Sequence, residues 1–410
     1  MIVGELAVIR LLNPSGRLGY KRMIPKNAVE LLQLMVSYDT VNRSASDVDC
    51  PEQKLGEKLA GIAIAMGFDV EFLPTKQEYA DNVLVKYKVG EGLPWVWFDS
   101  HMDTVSVKGM TVDPFAGEIK DGKMYGRGTC DTKGTGACML WAMHKLKESG
   151  VKKNNIALLF SVDEEEKMIG IKKFAREQYT NQGIEPVGFI VGEPTLCKPI
   201  VTHNGMMRFK LITKGIAAHS SDPTRGKSAI SAMMKLIGEI EGMYIPRLDR
   251  KHELNGNAQM SINTVQGGQS ANIIPDYCEA QIDRRVVPGE KTDDIAADFE
   301  KFVDEAAKRL GEIEYELVVQ SSSPPMDVAI KKRLLKGIDS ARKMMGFEEE
   351  RIGAPFATHG GYLSETGCAV VVIGPGNIAQ AHTKDEFIDL EQIECGIRLY
   401  RGIMEADFVE

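Results

Sequence analysis

Short apolar runs, each ending in a polar or acidic cluster and each set apart by a helical stretch, constrain this chain more than any other feature. Residues 94–98, 156–162 and 188–191 are compact enough to be strands buried on both faces. Before them, 52–66 repeats Leu55, Leu59, Ile62 and Met66 at helical spacing and stops at Gly67, and between the first two 132–148 is an apolar-rich helix closed by Gly150. A helix over 27–37 and a short strand over 82–87 precede and separate these elements. Strands alternating with helices predict an α/β fold with a mainly parallel sheet.

From about Val201 the texture changes. Strands are expected at 206–213, 259–265 and 277–286, helices at 226–243 and 291–310, and a last strand at 314–319. Strand, helix, two strands, helix, strand is the order of a ferredoxin-like α+β unit. Residues 320–325, with Ser321, Ser322, Ser323, Pro324 and Pro325, read as a linker. A helix over 327–345, a strand over 369–373 and a helix over 390–404 then resume the earlier pattern. The expected organisation is a discontinuous α/β domain, 1–200 and 322–410, interrupted by an inserted domain, 201–321. A length of 410 residues accommodates two or three domains.

Composition narrows the function classes. With 43% hydrophobic residues the chain is not largely disordered. Fifty Lys plus Arg against 58 Asp plus Glu give a formal charge of −8, which argues against a nucleic-acid or anionic-membrane binder. The seven cysteines show no C-x-x-C spacing, so neither a zinc ribbon nor a disulfide framework is indicated, and a reducing cytosol is expected. The first residues, interrupted by Glu5 and Arg10 and lacking a small-residue cleavage site, do not read as a signal peptide. No apolar run approaches the roughly 18–20 residues that span a bilayer. The expected location is cytoplasmic.

The chemistry is concentrated at strand ends, where α/β folds place their sites. His101 and Asp103 fall on one face as the strand over 94–98 ends, and a carboxylate there suits the orientation of a metal-bound imidazole. Asp131 stands directly before a helix in Gly126-Arg127-Gly128-Thr129-Cys130-Asp131, as an N-cap or as a ligand on a glycine-flexed turn. Asp163, Glu164, Glu165 and Glu166 follow a buried strand, where a general base and a hard-cation ligand would be put, and Glu193 follows the next strand. A glycine-rich loop from Gly374 ends in His382, with Asp385 and Glu386 just beyond. Two histidines and three carboxylates from five strand ends suit a pair of divalent ions sharing a carboxylate, as zinc, cobalt or manganese. A P-loop is excluded because Ser221 stands where its first glycine belongs, and no G-x-S-x-G elbow occurs.

This order of motifs resembles the di-zinc metallohydrolase family of acetylornithine deacetylase, succinyl-diaminopimelate desuccinylase and glutamate-releasing carboxypeptidase, from about residue 60 to 405. The resemblance implies a catalytic α/β domain with an inserted lid that often dimerises. It implies that His101, Asp131 and Glu193 hold one metal ion and Asp131, Glu165 and His382 the other. Asp103 becomes the partner of His101, and Glu164 the general base toward a water activated between the metals. Within the insertion, His219 matches a histidine that contacts the reacting carbonyl, commonly from the partner subunit; Arg285 matches an arginine that binds a substrate carboxylate, and Asn272 another substrate-facing residue. The implied substrate is an N-acyl amino acid or short peptide, and the loop from Gly374 to Glu386 looks especially like acetylornithine deacetylases; a desuccinylase, a dipeptidase or an inactive metal-binding scaffold are the alternatives.

Departures leave alternatives open. Lys167 stands where the family usually has glycine, and Glu166 permits a shifted register with Glu165 as base and Glu166 as ligand; the position of Gly170 favours the unshifted one. Arg284 competes with Arg285, and the spacing to Pro288 and Gly289 favours Arg285. His359 follows Thr358 where relatives often carry an acid, and is open between pocket and structure. His144 reads as structural, His203 and His252 as surface or lid residues, and Cys130 as core packing.

Overall fold

The computed structural model describes residues 24–46, 48–327 and 332–408. The signal-peptide expectation, and the first residues after 327 of the helix expected there, lie outside the described residues. Along the chain come α1 (Ala28–Val36), α2 (Gln53–Ala65), β1 (Asp69–Leu73), β2 (Asn82–Tyr87), β3 (Trp95–His101), α3 (Lys133–Ser149), β4 (Asn155–Ser161) and β5 (Pro186–Val191). Then follow β6 (Gly205–Lys214), α4 (Ala229–Glu239), β7 (Gln259–Gly267), β8 (Tyr277–Val286), α5 (Thr292–Arg309) and β9 (Tyr315–Ser323), and finally α6 (Lys332–Met344), β10 (Val370–Val372) and α7 (Leu390–Met404). They form two compact units, one of 24–200, 332–351 and 363–408, the other of 201–327 and 352–362.

In the first unit the strands run β1–β2–β4–β3–β5–β10. Pairings β1–β2 and β2–β4 are antiparallel, while β4–β3, β3–β5 and β5–β10 are parallel. Every residue of β4 is buried, which is why its sequence is an unbroken apolar run rather than an alternating one. Phe98, Leu158, Ile190 and Val371 from the parallel strands share one core with Leu140 and Met143 of α3 and Leu399 and Ile403 of α7. Each such side chain contributes about 1.5–3 kcal/mol on burial. α3 ends where Gly150 takes φ +70°, a left-handed conformation that suits glycine. Because β3, β4, β5 and β10 are parallel, their C-terminal ends share one edge, and the loops after them share it too.

The second unit has the sheet order β7–β8–β6–β9, antiparallel throughout. Its connectivity is that of a ferredoxin-like fold. Phe209, Ala280 and Ile282 of the sheet pack with Met233 and Leu236 of α4 and Phe299 and Val303 of α5. β8 alternates strictly, with Cys278, Ala280, Ile282, Arg284 and Val286 buried and Gln281, Asp283 and Arg285 on the other face.

Three expectations are corrected. Residues 320–325 are not a linker throughout: β9 continues to Ser323, which pairs with Met206 and is buried, so a strand partner overrides the turn preference of the serines. Residues 352–362 belong with the second unit rather than the α/β domain; the backbone N–H of Asn204 donates to Ala354 O at 3.0 Å. Of the two readings of His203, surface or lid, the surface one fails: the residue lies in the second unit and is fully buried, its Nδ1 2.9 Å from Asn204 O and its Nε2 3.1 Å from Thr358 Oγ1. The expected strand at 369–373 and helix at 226–243 are shorter, the latter ending at Glu239 before a π turn.

Candidate metal centre

The loops at the parallel edge of the first unit bring His101, Asp131, Glu165 and His382 together. β3 carries His101 at its last position, and the ladder continues one step further, with Met102 N–H donating to Ser161 O at 2.9 Å. His101 Nδ1 lies 3.0 Å from Asp103 O, which only accepts, so Nδ1 carries a hydrogen and Nε2 is the nitrogen turned to the cluster. That Nε2 faces Asp131 Oδ1 at 3.2 Å. The other Asp131 oxygen, Oδ2, lies 3.4 Å from His382 Nε2, and this nitrogen is 3.1 Å from both carboxylate oxygens of Glu165. Asp131 therefore offers one oxygen to each of two imidazoles. Ligand atoms of His101, Asp131 and Glu165 all lie within 4.8 Å of one another.

Asp103, fully buried, holds the acidic loop in register with this cluster. Its two oxygens accept the backbone N–H groups of Glu164 and Glu165 at 2.9 and 3.0 Å. The loop's return requires Gly170, where a Cβ would lie 2.4 Å from Asn82 Oδ1 and 2.7 Å from Val162 O. Glu165 faces the cluster, whereas Glu166 pairs with Lys167 at 3.0 Å. Glu193 follows β5 and is buried near Asp131 and Glu164.

Charge crowding marks the site. Burial, and then the neighbouring carboxylates, raise the pKa of Glu193 and Glu164 well above the usual range, although the His101 charge opposes the rise in both. Burial and the charge of Asp131 push Glu165 up to about 7. Burial disfavours ionised Asp131, yet hydrogen bonds to His101 and His382 outweigh it and lower its pKa. Hydrogen bonds to Asp131 and Glu165 raise His382 to about 10, and Asp103 and Asp131 raise His101 well above normal despite its burial. Carboxylates thus outnumber imidazoles in a space that is buried around His101, Asp131 and Glu193 and open to solvent at His382. His101 Nε2 meets Asp131 Oδ1 either as an imidazolium N–H donor or, with its proton gone, across a cation that takes the proton's place. Oxygen and imidazole donors of this kind fit zinc, cobalt or manganese.

Two buried residues named within these motifs, Arg127 and Glu386, carry a structural role that their motifs do not state. Glu386 accepts the N–H groups of Cys130 and Asp131 at 2.9 and 3.1 Å and pairs with Arg127 at 2.7 Å. The period-two pattern into the strand Phe387–Asp389 was the available signal, since it puts Glu386 on the face of buried Ile388.

The remaining expected site residues belong to the second unit. The short strand Ala218–His219 pairs with Ile273–Ile274, and Ser220 N–H donates to Asn272 O at 3.0 Å, so the His219 and Asn272 segments lie side by side. His219 Nδ1 accepts the Ser221 N–H at 3.1 Å, which leaves the ring hydrogen on Nε2. Arg285 lines an open cavity of about 430 Å³ with Arg208, Gln281 and Asp283, its Nε 2.8 Å from Asp283. Arg284 points into the core and pairs with Glu290 at 2.6 Å. His359 is buried.

The family description "Peptidase family M20/M25/M40" matches residues 97–406. The chain belongs to this family. Its class is that of metal-dependent hydrolases acting on amide bonds. Acetylornithine deacetylase of Erwinia tasmaniensis is 30% identical over 373 residues, covering 88% of this chain and 93% of the relative. Among solved structures, a metallo-carboxypeptidase of the M20 family from Sulfolobus solfataricus superposes with a TM-score of 0.79 at 16% identity, over 93% of this chain and 99% of that one. A dinuclear metal-binding M20 peptidase of Bacillus subtilis gives 0.68 at 16% identity, over 94% and 97%. These similarities show the shared α/β fold with a second, smaller unit. Among the described residues no helix is long and apolar enough to cross a membrane.

Proposed function

We propose that this M20 hydrolase holds two divalent ions and releases the amine of an N-acyl amino acid, with an acetylornithine-like compound as the leading substrate. The observation that carries the reading is the Asp131 carboxylate, which turns one oxygen to His101 and the other to His382. In this reading His101, Asp131 and Glu193 hold one ion, and Asp131, Glu165 and His382 the other. Zinc is the first choice, cobalt or manganese the alternatives. When bound, such ions polarise a carbonyl and lower the pKa of water, to roughly 7 in the zinc case.

The chain's own residues do the rest. Glu164, on the loop pinned by Asp103, takes a proton from the attacking water and returns it to the departing nitrogen. His219, with its hydrogen on Nε2, donates toward the carbonyl oxygen as negative charge develops there. Arg285 takes the substrate's free carboxylate, and Asn272, on the segment beside His219, is a second substrate-facing residue. The second unit acts as a lid and homodimer surface, and the enzyme works in the cytoplasm on small molecules. Similarity to acetylornithine deacetylase over most of both chains favours deacetylation; a desuccinylase or a dipeptidase is the second reading.

Metal analysis combined with amine release from N-acetyl, N-succinyl and dipeptide substrates tests this. Glu164→Gln should keep both metal ions and lose about 10²–10⁴-fold in turnover. Wild-type turnover in that variant, or two bound ions with no hydrolysis of any substrate, would reject the mechanism.

A further inference from the structure

We infer that Glu386 is a positioning residue for the metal centre, which together with Arg127 braces the Asp131 turn against the His382 loop. The inference rests on the two-metal reading above. Both side chains are buried, and each reaches from its own loop to the other. Glu386 Oε1 accepts the N–H groups of Cys130 and Asp131, while Oε2 meets Arg127 Nη1 at 2.7 Å. Arg127 Nη2 donates to Thr383 O at 3.2 Å, one residue beyond His382, and to Ser106 O at 3.0 Å. The backbone closes the same circuit, with Gly126 N–H donating to Glu386 O at 3.0 Å.

The arrangement answers a geometric problem. Asp131 and His382 come from loops far apart in sequence, and His382 itself sits at φ +63°, a left-handed conformation unusual for a non-glycine residue. Neither loop belongs to the parallel ladder that fixes His101. Gly128, at φ +84° and with a Cβ position 2.9 Å from Thr104 Cγ2, gives the turn before Asp131 a path closed to other residues, but it anchors nothing. The Glu386–Arg127 pair supplies the anchor. A carboxylate accepting two consecutive N–H groups fixes the orientation of the peptide that carries Asp131, and hence which oxygen faces which imidazole.

The test uses Glu386→Gln, which keeps an acceptor for the two N–H groups but removes the charge opposite Arg127, together with Arg127→Lys and the double variant. Zinc affinity is measured by competition with a chromophoric chelator, and the cobalt-substituted protein is examined by its visible spectrum. Each single variant should bind zinc about 10–100-fold more weakly, and the cobalt bands should shift. The double variant should lose little more than either single one, because the two side chains act as a unit. A purely structural role would lower thermal stability while leaving the zinc affinity and cobalt spectrum of the folded protein unchanged; that result overturns the inference and leaves the two-metal reading intact. A wild-type protein that binds no zinc, cobalt or manganese overturns both.

Discussion

The backbone N–H of Glu164 donates to the carboxylate of Asp103 at 2.9 Å, joining the end of β3 to the acidic loop that follows β4. The other oxygen of the same carboxylate takes Glu165 N–H, and Oδ1 lies 3.4 Å from His101 Nδ1. One buried side chain therefore sets the relation between a proposed ligand, the proposed base and the next ligand.

Asp103→Ala should accordingly disturb more than the imidazole it neighbours. The expected outcome is a loss of metal affinity of about 10–100-fold, accompanied by lower turnover even at saturating metal. Chelator competition followed by assays in excess zinc separates the two losses. Full recovery of turnover in excess metal would confine Asp103 to holding His101.

Much of this centre is readable because burial on both faces forces an unbroken apolar run. β3, β4 and β5 announce themselves in that way, and the polar residues just beyond them mark the sheet edge. Strands without that constraint are silent: β1 is a short edge strand with Asp69 and Glu71 in it, and its partner β2 defines it more than its sequence does. Position 320–325 shows the opposite error, since serine-rich sequence reads as a turn until β6 supplies a ladder for it. The choice between Arg284 and Arg285 was open to the sequence through the period of two in β8, which sends Arg284 inward. Placing 352–362 with the second unit was not, because a backbone contact to Asn204 carries no side-chain signature.

The two adjacent arginines should fail in different ways. Arg284→Ala empties a buried position and leaves partly buried Glu290 without its guanidinium, which should cost about 1–3 kcal/mol of stability, visible as a lower unfolding midpoint. Arg285→Ala removes an accessible guanidinium; it should leave unfolding nearly unchanged and weaken kcat/KM for carboxylate-bearing substrates by about 1.5–3 kcal/mol. Equal effects of both on unfolding would contradict the assignment.

His219→Ala tests the donor in the second unit. Metal content should stay at the wild-type level while kcat falls by about 10²–10³-fold, the loss associated with removing one hydrogen bond to a developing oxyanion. Ser221→Ala removes the hydroxyl 2.7 Å from His219 Nδ1 but keeps the backbone N–H that donates to the same nitrogen, so it should give a much smaller loss in the same direction.

His203 gives the second unit a stability that depends on pH. Burial lowers its pKa to about 4, so the native state holds the ring neutral while the unfolded chain takes up a proton near 6.5. The unfolded state binds more protons between these values, and stability falls as pH drops through the window from about 6.5 to 4, by about 3 kcal/mol for this group. Denaturant unfolding of wild type and His203→Gln at pH 7 and pH 4.5 measures it. The wild type should lose more than the variant on acidification; equal losses would acquit His203.

The ladder between β5 and β10 sets Val370 opposite Phe189, although the whole second unit intervenes in the chain. A flexible excursion of that length carries a closure entropy that rises by only about 0.6 kcal/mol per doubling, yet it slows the search for a partner strand. The insertion removes most of that difficulty itself, because Met206 near its entry pairs with Ser323 near its exit. Once those strands have met, the chain leaves the insertion beside the point where it came in. The fourth parallel strand and the His382 loop are then delivered to the sheet as if by a short turn, and the last of the proposed ligands to be synthesised arrives at a nearly finished cradle.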